Sequence, residues 1–118
     1  MAYDLLGNKP TAEEGTRFRM AVIGWPLFVD VLLKFAPEEC GPCAEWYGEF
    51  CYGRGLDAEQ ALRLAAKLNR GISDETILDY ISEVVQEHER TREEAWISQG
   101  DLLDFVVFLK SCGGFCIT

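Results

Sequence analysis

The stretch from residue 57 to residue 90, DAEQALRLAAKLNRGISDETILDYISEVVQEHER, carries the clearest helix signals in the chain. Asp57 and Gln60 have the spacing of a capping box, so they predict the start of a helix that Gly71 is expected to end. Ser73 then starts a second helix, which we predict to be the longest in the chain. Together these signals favour a fold built mainly from helices.

Apolar segments on either side of this stretch predict two more helices. Pro26 suits the first position of a helix, and PLFVDVLLKF is apolar at nearly every position, so a buried central helix is expected to end before Pro37. Further along the chain, Ser98 or Asp101 can cap a helix over LLDFVVFLK. Gly113 can supply the left-handed conformation that ends this last helix.

The length of 118 residues is that of one compact domain. We therefore predict a single helical domain over residues 1–118, mainly α, with four to six helices. Residues 16–24 alternate too poorly to be assigned, and residues 115–118 are typical of a short extended tail. A minor β element is allowed at these two places.

The composition is strongly acidic, because 20 Asp and Glu side chains against 11 Lys and Arg leave a net charge of −9. This charge repels phosphate backbones and anionic lipids, so nucleic acid and membranes are not expected partners, whereas a protein with a basic surface is compatible with it. The longest apolar run, WPLFVDVLL, is too short to span a bilayer, and the N-terminal residues lack the pattern of a signal peptide. The cytoplasm is the predicted location; the partner's identity and the oligomeric state stay open.

The chain has five cysteines: Cys40, Cys43, Cys51, Cys112 and Cys116. An odd number of cysteines without an export signal argues against a disulfide framework. Cys43 and Cys51 fall on the apolar stripe of a short predicted helix, which indicates buried packing positions. We therefore predict no cofactor.

Cys40-Gly-Pro-Cys43 resembles the active-site tetrad of thioredoxin-like oxidoreductases. The resemblance covers these four residues and implies a redox dithiol. The charges of Glu38 and Glu39 would raise the pKa of the Cys40 thiol. No proline follows Pro42 to match the one that those enzymes place against the dithiol. Packing is therefore the favoured interpretation, with a thiol-redox module as an alternative.

A metal site is the other alternative for the cysteines. Zinc needs four soft ligands in tetrahedral geometry, and these can come from Cys40, Cys43 and Cys51 with Cys112 and Cys116 as a second half. The second pair is spaced more widely than the first and straddles two glycines. Zinc is thus the alternative cofactor.

No arrangement of residues in the chain predicts catalysis. The only histidine, His88, lies on the apolar face of the second predicted helix, where it is typical of a packing residue. The glycine-rich stretches lack the spacing of a phosphate-binding loop, and no serine lies in a nucleophile elbow. A non-enzymatic protein is the favoured interpretation.

Four acidic residues follow one another in steps of four, and we call them the acidic ridge: Glu75, Asp79, Glu83 and Glu87. Like charges at this spacing cost about 0.2–0.5 kcal/mol per pair, so a ridge kept despite that cost can dock a basic protein surface. The alternatives are a solvated face, or pairing with a basic stripe on the preceding helix, Arg63, Lys67 and Arg70. We predict a protein-binding factor of the immunity, anti-defence or regulatory type that uses the acidic ridge.

Overall fold

The computed structural model describes residues 2–21, 24–39, 55–87 and 97–118. Within these ranges the chain forms four α-helices: α1 Trp25–Phe35, α2 Ala58–Ser73, α3 Thr76–Glu87 and α4 Gln99–Ser111. It also forms four β-strands: β1 Ala2–Gly7, β2 Arg17–Ala21, β3 Gly55–Asp57 and β4 Gly114–Ile117. A short 3-10 helix, Glu13–Gly15, lies between β1 and β2. None of the described helices is both long enough and apolar enough to cross a membrane.

The four strands form one antiparallel sheet with the order β2-β1-β4-β3. The predictions of a mainly α fold and of an all-α chain are therefore wrong, because the described residues form an α+β fold. Residues 16–24 and 115–118, where the sequence allows a minor β element, do contain β2 and most of β4. The sequence does not predict β1 or β3.

The sheet is missed because its central pairing joins distant parts of the chain. In β1, Leu5 is buried while the adjacent Leu6 is exposed, and two leucines in a row do not distinguish a strand from a helix. The register of β1 with β4 pairs Leu5 with Ile117, at the far end of the described chain. The third strand has only three residues, which is too few to show a period.

Side chains alternate between the two faces of the sheet, as expected for antiparallel strands. The buried face carries Leu5, Phe18, Met20, Leu56, Phe115 and Ile117. The opposite face, which we call the outer face, carries Asp4, Leu6, Arg17, Arg19 and Cys116. The apolar side of the sheet is thus turned towards the helices and the charged side away from them.

The core lies between the buried face of the sheet and the helices. Phe105 of α4 is fully buried. Its ring centroid lies 4.8 Å from that of Phe28 on α1 and 4.9 Å from that of Phe18 on β2. It also packs edge-on against Phe115 of β4, at 6.3 Å. The last helix therefore packs both against α1 and against the two strands, β2 and β4, that flank β1 in the sheet.

Two of the helix starts predicted from capping residues, those of α2 and α4, are confirmed. Asp57 and Gln60 form a reciprocal capping box at the start of α2, with N–H···O distances of 2.8 and 3.0 Å. Ser98 and Asp101 do the same for α4, at 3.1 and 2.9 Å. Gly113 has the predicted left-handed conformation, with φ of 66°. These signals are local in sequence, which is why they could be recognised.

Two helix boundaries differ from the prediction. Gly71 does not end α2, which continues to Ser73; Gly71 is instead a close-packing position, where a Cβ atom would come within 2.6 Å of the Ile77 side chain. The following helix begins at Thr76, because the Asp74 carboxylate accepts hydrogen bonds from both the Thr76 N–H and its hydroxyl, at 3.1 and 2.6 Å. The short helix predicted around Cys43 and Cys51 lies outside the described residues, as does His88.

Candidate functional site

The acidic ridge begins just before α3, and its two central members lie on the solvent-facing side of this helix. Asp79 and Glu83 are exposed and lie one turn apart on the helix. Ile77 and Ile81, on the other side of α3, are fully buried in the core. Burial of the isoleucine face fixes the rotation of the helix, so the two carboxylates are held towards solvent.

The two ends of the acidic ridge have different positions. Glu75 precedes α3 with a φ of 65°, in the left-handed region, and its carbonyl oxygen accepts the Asp79 N–H at 3.1 Å. Glu87 is the last residue of α3. The structure thus brings Asp79 and Glu83 together on one helical surface and puts Glu75 at the turn that starts it.

The basic stripe does not pair with the acidic ridge in any ion pair between described side chains. Arg63 bonds Glu59 on its own helix, with 3.1 Å between Nη1 and Oε1. Lys67 bonds Glu39 at 2.7 Å and lies 3.7 Å from Glu38. Two of the three stripe cations are therefore engaged by carboxylates other than the ridge.

Glu39 is the buried charged residue that sequence reasoning missed. Its side chain is only 5 % exposed, and it accepts a 2.7 Å hydrogen bond from Lys67 Nζ, with Arg63 Nε at 3.9 Å. The hydrogen bond from Lys67 holds the pKa of Glu39 below its ordinary value, against the opposing effect of burial. The pair ties the segment after α1 to α2. The sequence signal was weak: only the clustering of cations on α2 hinted at a buried acid.

Replacing this carboxylate gives a prediction with a pH dependence. Because the folded-state pKa of Glu39 is lowered, its contribution to stability is present above the unfolded pKa and is lost as pH falls through the folded pKa. Glu39→Gln should lower the free energy of unfolding by about 1–3 kcal/mol at pH 7. The difference from wild type should shrink as pH falls below the ordinary value of 4.5. Urea unfolding followed by circular dichroism across this pH range measures both effects.

Glu38→Gln is the matched control, because its side chain is 85 % exposed and 3.7 Å from the same lysine. Exposed ion pairs contribute little, so this variant should unfold almost as wild type does. Equal losses in the two variants would show that burial of Glu39 does not strengthen its bond to Lys67.

The two described cysteines, Cys112 and Cys116, lie on opposite sides of the sheet. Cys112 is buried in the core, where its Sγ donates to the Leu109 carbonyl oxygen at 3.5 Å, and burial raises the pKa of its thiol. Cys116 is half-buried on the outer face. Cys40, Cys43 and Cys51 lie outside the described residues.

Among the side chains that the structure describes, no group of three His, Cys, Asp or Glu residues is arranged to hold a metal ion. The zinc and thiol-redox alternatives depend on the cysteines of the 40–51 segment, so they stay predictions. Comparison of the chain with protein-family models, with curated proteins and with solved structures finds no match.

Proposed function

We propose that the chain is a non-enzymatic protein-binding factor of the immunity, anti-defence or regulatory type. In this proposal it acts in the cytoplasm and binds a partner with a basic surface through the acidic ridge. One observation supports the proposal most: Asp79 and Glu83 are exposed on one side of α3, while Arg63 and Lys67 are paired with other carboxylates.

Electrostatics explains how such a surface recruits a partner. Two carboxylates one turn apart repel each other, and a lysine or arginine from a partner relieves that repulsion. Exposed charges at the edge of an interface mainly raise the association rate and make it sensitive to salt. The net charge of −9 adds a long-range attraction for a basic protein.

Charge reversal at the two central positions tests the proposal. Asp79→Lys combined with Glu83→Lys should reduce capture of the partner at least about ten-fold, since it replaces two attractive pairs by two repulsive ones. The melting temperature should change little, because both side chains are exposed; the two lysines repel each other as the two carboxylates do, while the spacings to Glu75 and Glu87 become opposite-charge spacings. Quantitative mass spectrometry of proteins retained by the immobilised chain, at low and at raised salt, measures the capture.

Glu13→Lys combined with Glu38→Lys is the matched control. Both residues are exposed and lie outside α3, and the change in net charge is the same. A protein lost with the α3 variant and retained with this control supports the acidic ridge as the interface. Equal retention by both variants, or a loss confined to the control, excludes it.

A further inference from the structure

A groove runs between the edge of the sheet and the last helix. Its volume is about 330 Å³. Its wall on the strand side is formed by Glu14, Arg17, Phe18 and Arg19. Its wall on the helix side is formed by Asp101, Asp104, Val107 and Phe108. The groove therefore lies along β2, which has only β1 as a neighbour among the described strands.

The hydrogen-bond pattern of the β1–β2 pair shows which main-chain groups face this groove. Gly7 N–H donates to the Thr16 carbonyl oxygen at 3.0 Å, so these residues form a hydrogen-bonded pair of the antiparallel ladder. Such pairs recur at every second residue, which directs the main-chain groups of Phe18 towards β1. The N–H and C=O groups of Arg17 and Arg19 then point away from β1, to the edge of β2 that no described strand covers, which we call the free edge.

The opposite side of β1 confirms this alternation. Thr118 N–H donates to the Asp4 carbonyl oxygen, and Asn8 N–H donates to the Gly114 carbonyl oxygen, each at 2.8 Å. The even-numbered residues of β1 thus bond β4, and the odd-numbered ones bond β2. The main-chain N–H and C=O groups of two residues of β2, Arg17 and Arg19, are thus in position to bond an added strand.

Among the described side chains, the charges beside this edge are not balanced on the outer face. Arg17 Nη2 lies 2.9 Å from Asp4 Oδ1, and Arg19 Nε lies 3.9 Å from the same oxygen. Two guanidinium groups therefore share one carboxylate. An acidic side chain on an added strand, opposite either arginine, would supply the missing negative charge.

The side of β2 that faces the groove lies beside apolar and acidic side chains. Val107 is 46 % exposed and lies beside Phe108 and about one turn after Asp104 on the helix wall. Glu14, which also lines the groove, precedes Gly15, and Gly15 packs against Ser111 at the other end of α4. A side chain of the added strand that points towards α4 from its centre would meet apolar atoms. Its neighbours two residues away would meet carboxylates.

We propose that β2 binds an extended peptide segment of a partner protein as an additional strand, with acidic residues opposite Arg17 and Arg19, an apolar residue between them and basic residues on either side. The main-chain groups of β2 supply affinity, and the alternating charges supply specificity. This surface is separate from the acidic ridge, and the inference does not depend on the function proposed above.

A second copy of the chain fits this edge less well than such a peptide. Antiparallel pairing of β2 with itself about Phe18 places Arg17 opposite Arg19. Pairing about Arg19 places that residue opposite its own copy. Like charges directly opposite each other destabilise a strand pair, so the edge disfavours self-association.

Two synthetic peptides test the charge pattern. The probe is fluorescein-labelled Gly-Lys-Glu-Val-Glu-Lys-Gly, which reads the same in both directions and carries no net side-chain charge. The control, Gly-Glu-Lys-Val-Lys-Glu-Gly, has the same composition with the alternation inverted. Fluorescence anisotropy of each peptide titrated with the whole protein should show saturable binding of the probe, with the control at least about ten-fold weaker. Equal binding of both peptides, or no saturable binding of the probe, would overturn the proposal.

Arg19→Pro tests the proposed hydrogen bond between the Arg19 N–H and the main chain of the peptide. Proline removes an N–H that faces the free edge, which a strand at the edge of a sheet tolerates. The probe should bind Arg19→Pro at least about ten-fold more weakly than Arg19→Ala, which keeps the N–H. Equal binding by the two variants contradicts strand addition.

Val107→Asn tests the groove independently of the proline variant. It places an uncharged polar group in the apolar centre of the groove and should weaken probe binding several-fold, whereas unchanged binding would contradict the groove as the site. Sedimentation equilibrium tests whether a second copy of the chain occupies this edge instead of a peptide. A wild-type dimer that the Arg19→Ala variant strengthens and the Arg19→Pro variant abolishes would assign the edge to a second copy and overturn the peptide proposal.

Discussion

Gly15→Ala is expected to lower the free energy of unfolding by about 3 kcal/mol or more. A Cβ atom at Gly15 would collide with the Ser111 carbonyl group, and it would lie 2.7 Å from the Cys112 nitrogen. These are main-chain atoms at the end of α4, so they cannot move aside as a flexible side chain would. The segment before Gly15 is also hydrogen-bonded to the end of α4, because the Thr11 N–H donates to the Ser111 carbonyl oxygen at 2.8 Å. Urea denaturation followed by circular dichroism measures the loss.

Gly100→Ala is the matched control for this glycine. Gly100 is exposed in the first turn of α4, and a Cβ atom there would meet only the Ser98 Oγ at 3.5 Å. Alanine reduces the conformational freedom of the unfolded chain, so this variant should gain about 0.4–1 kcal/mol. Opposite signs for the two substitutions confirm that contact with the end of α4, and not loss of a glycine as such, determines the effect at Gly15. A small effect at both positions contradicts the close packing.

Phe105→Ala should be the other large effect, with a loss of about 3–5 kcal/mol. The side chain is fully buried and packs against rings from β2, α1 and β4. Its removal leaves a cavity where the sheet and the helices meet, and the surrounding aromatic rings can close it only in part. Thermal and urea unfolding of the variant give the magnitude.

Leu103→Ala on the same helix is the control for Phe105. Its side chain is 42 % exposed, so truncation should change the free energy of unfolding by no more than about 0.5 kcal/mol. A loss at Leu103 as large as that at Phe105 would contradict the assignment of the two faces of α4.

The helices could be predicted because their determinants lie close together in sequence. Pro26 in the first turn of α1, the Asp57–Gln60 box and the Ser98–Asp101 box each act within one helical turn. The sheet could not be predicted in the same way, since β1 gains its central position only by pairing with residues at the far end of the described chain.

The candidate surfaces differ in the same way: one follows from a local sequence pattern, and the others depend on contacts between distant residues. The spacing of Asp79 and Glu83 within α3 is visible in the sequence, and exposure of both follows from burial of the isoleucines on the other face. The bond between Glu39 and Lys67 joins residues from different elements, so no local pattern reports it. The free edge of β2 was also inaccessible to prediction, because it exists only once the strand order is known.

The central position of β4 has a consequence for synthesis on the ribosome. The β1–β2 hairpin is translated before the other described strands and helices, but Leu5 acquires its partner Ile117 only when β4 has been made. At about 5–20 residues per second, translation of the intervening chain takes on the order of 5–20 s. For most of that interval Phe18 and Met20, which are buried in the finished fold, have neither α4 nor the complete sheet to cover them. We therefore expect nascent chains to engage chaperones through this hairpin, and to release them as β4 enters the sheet.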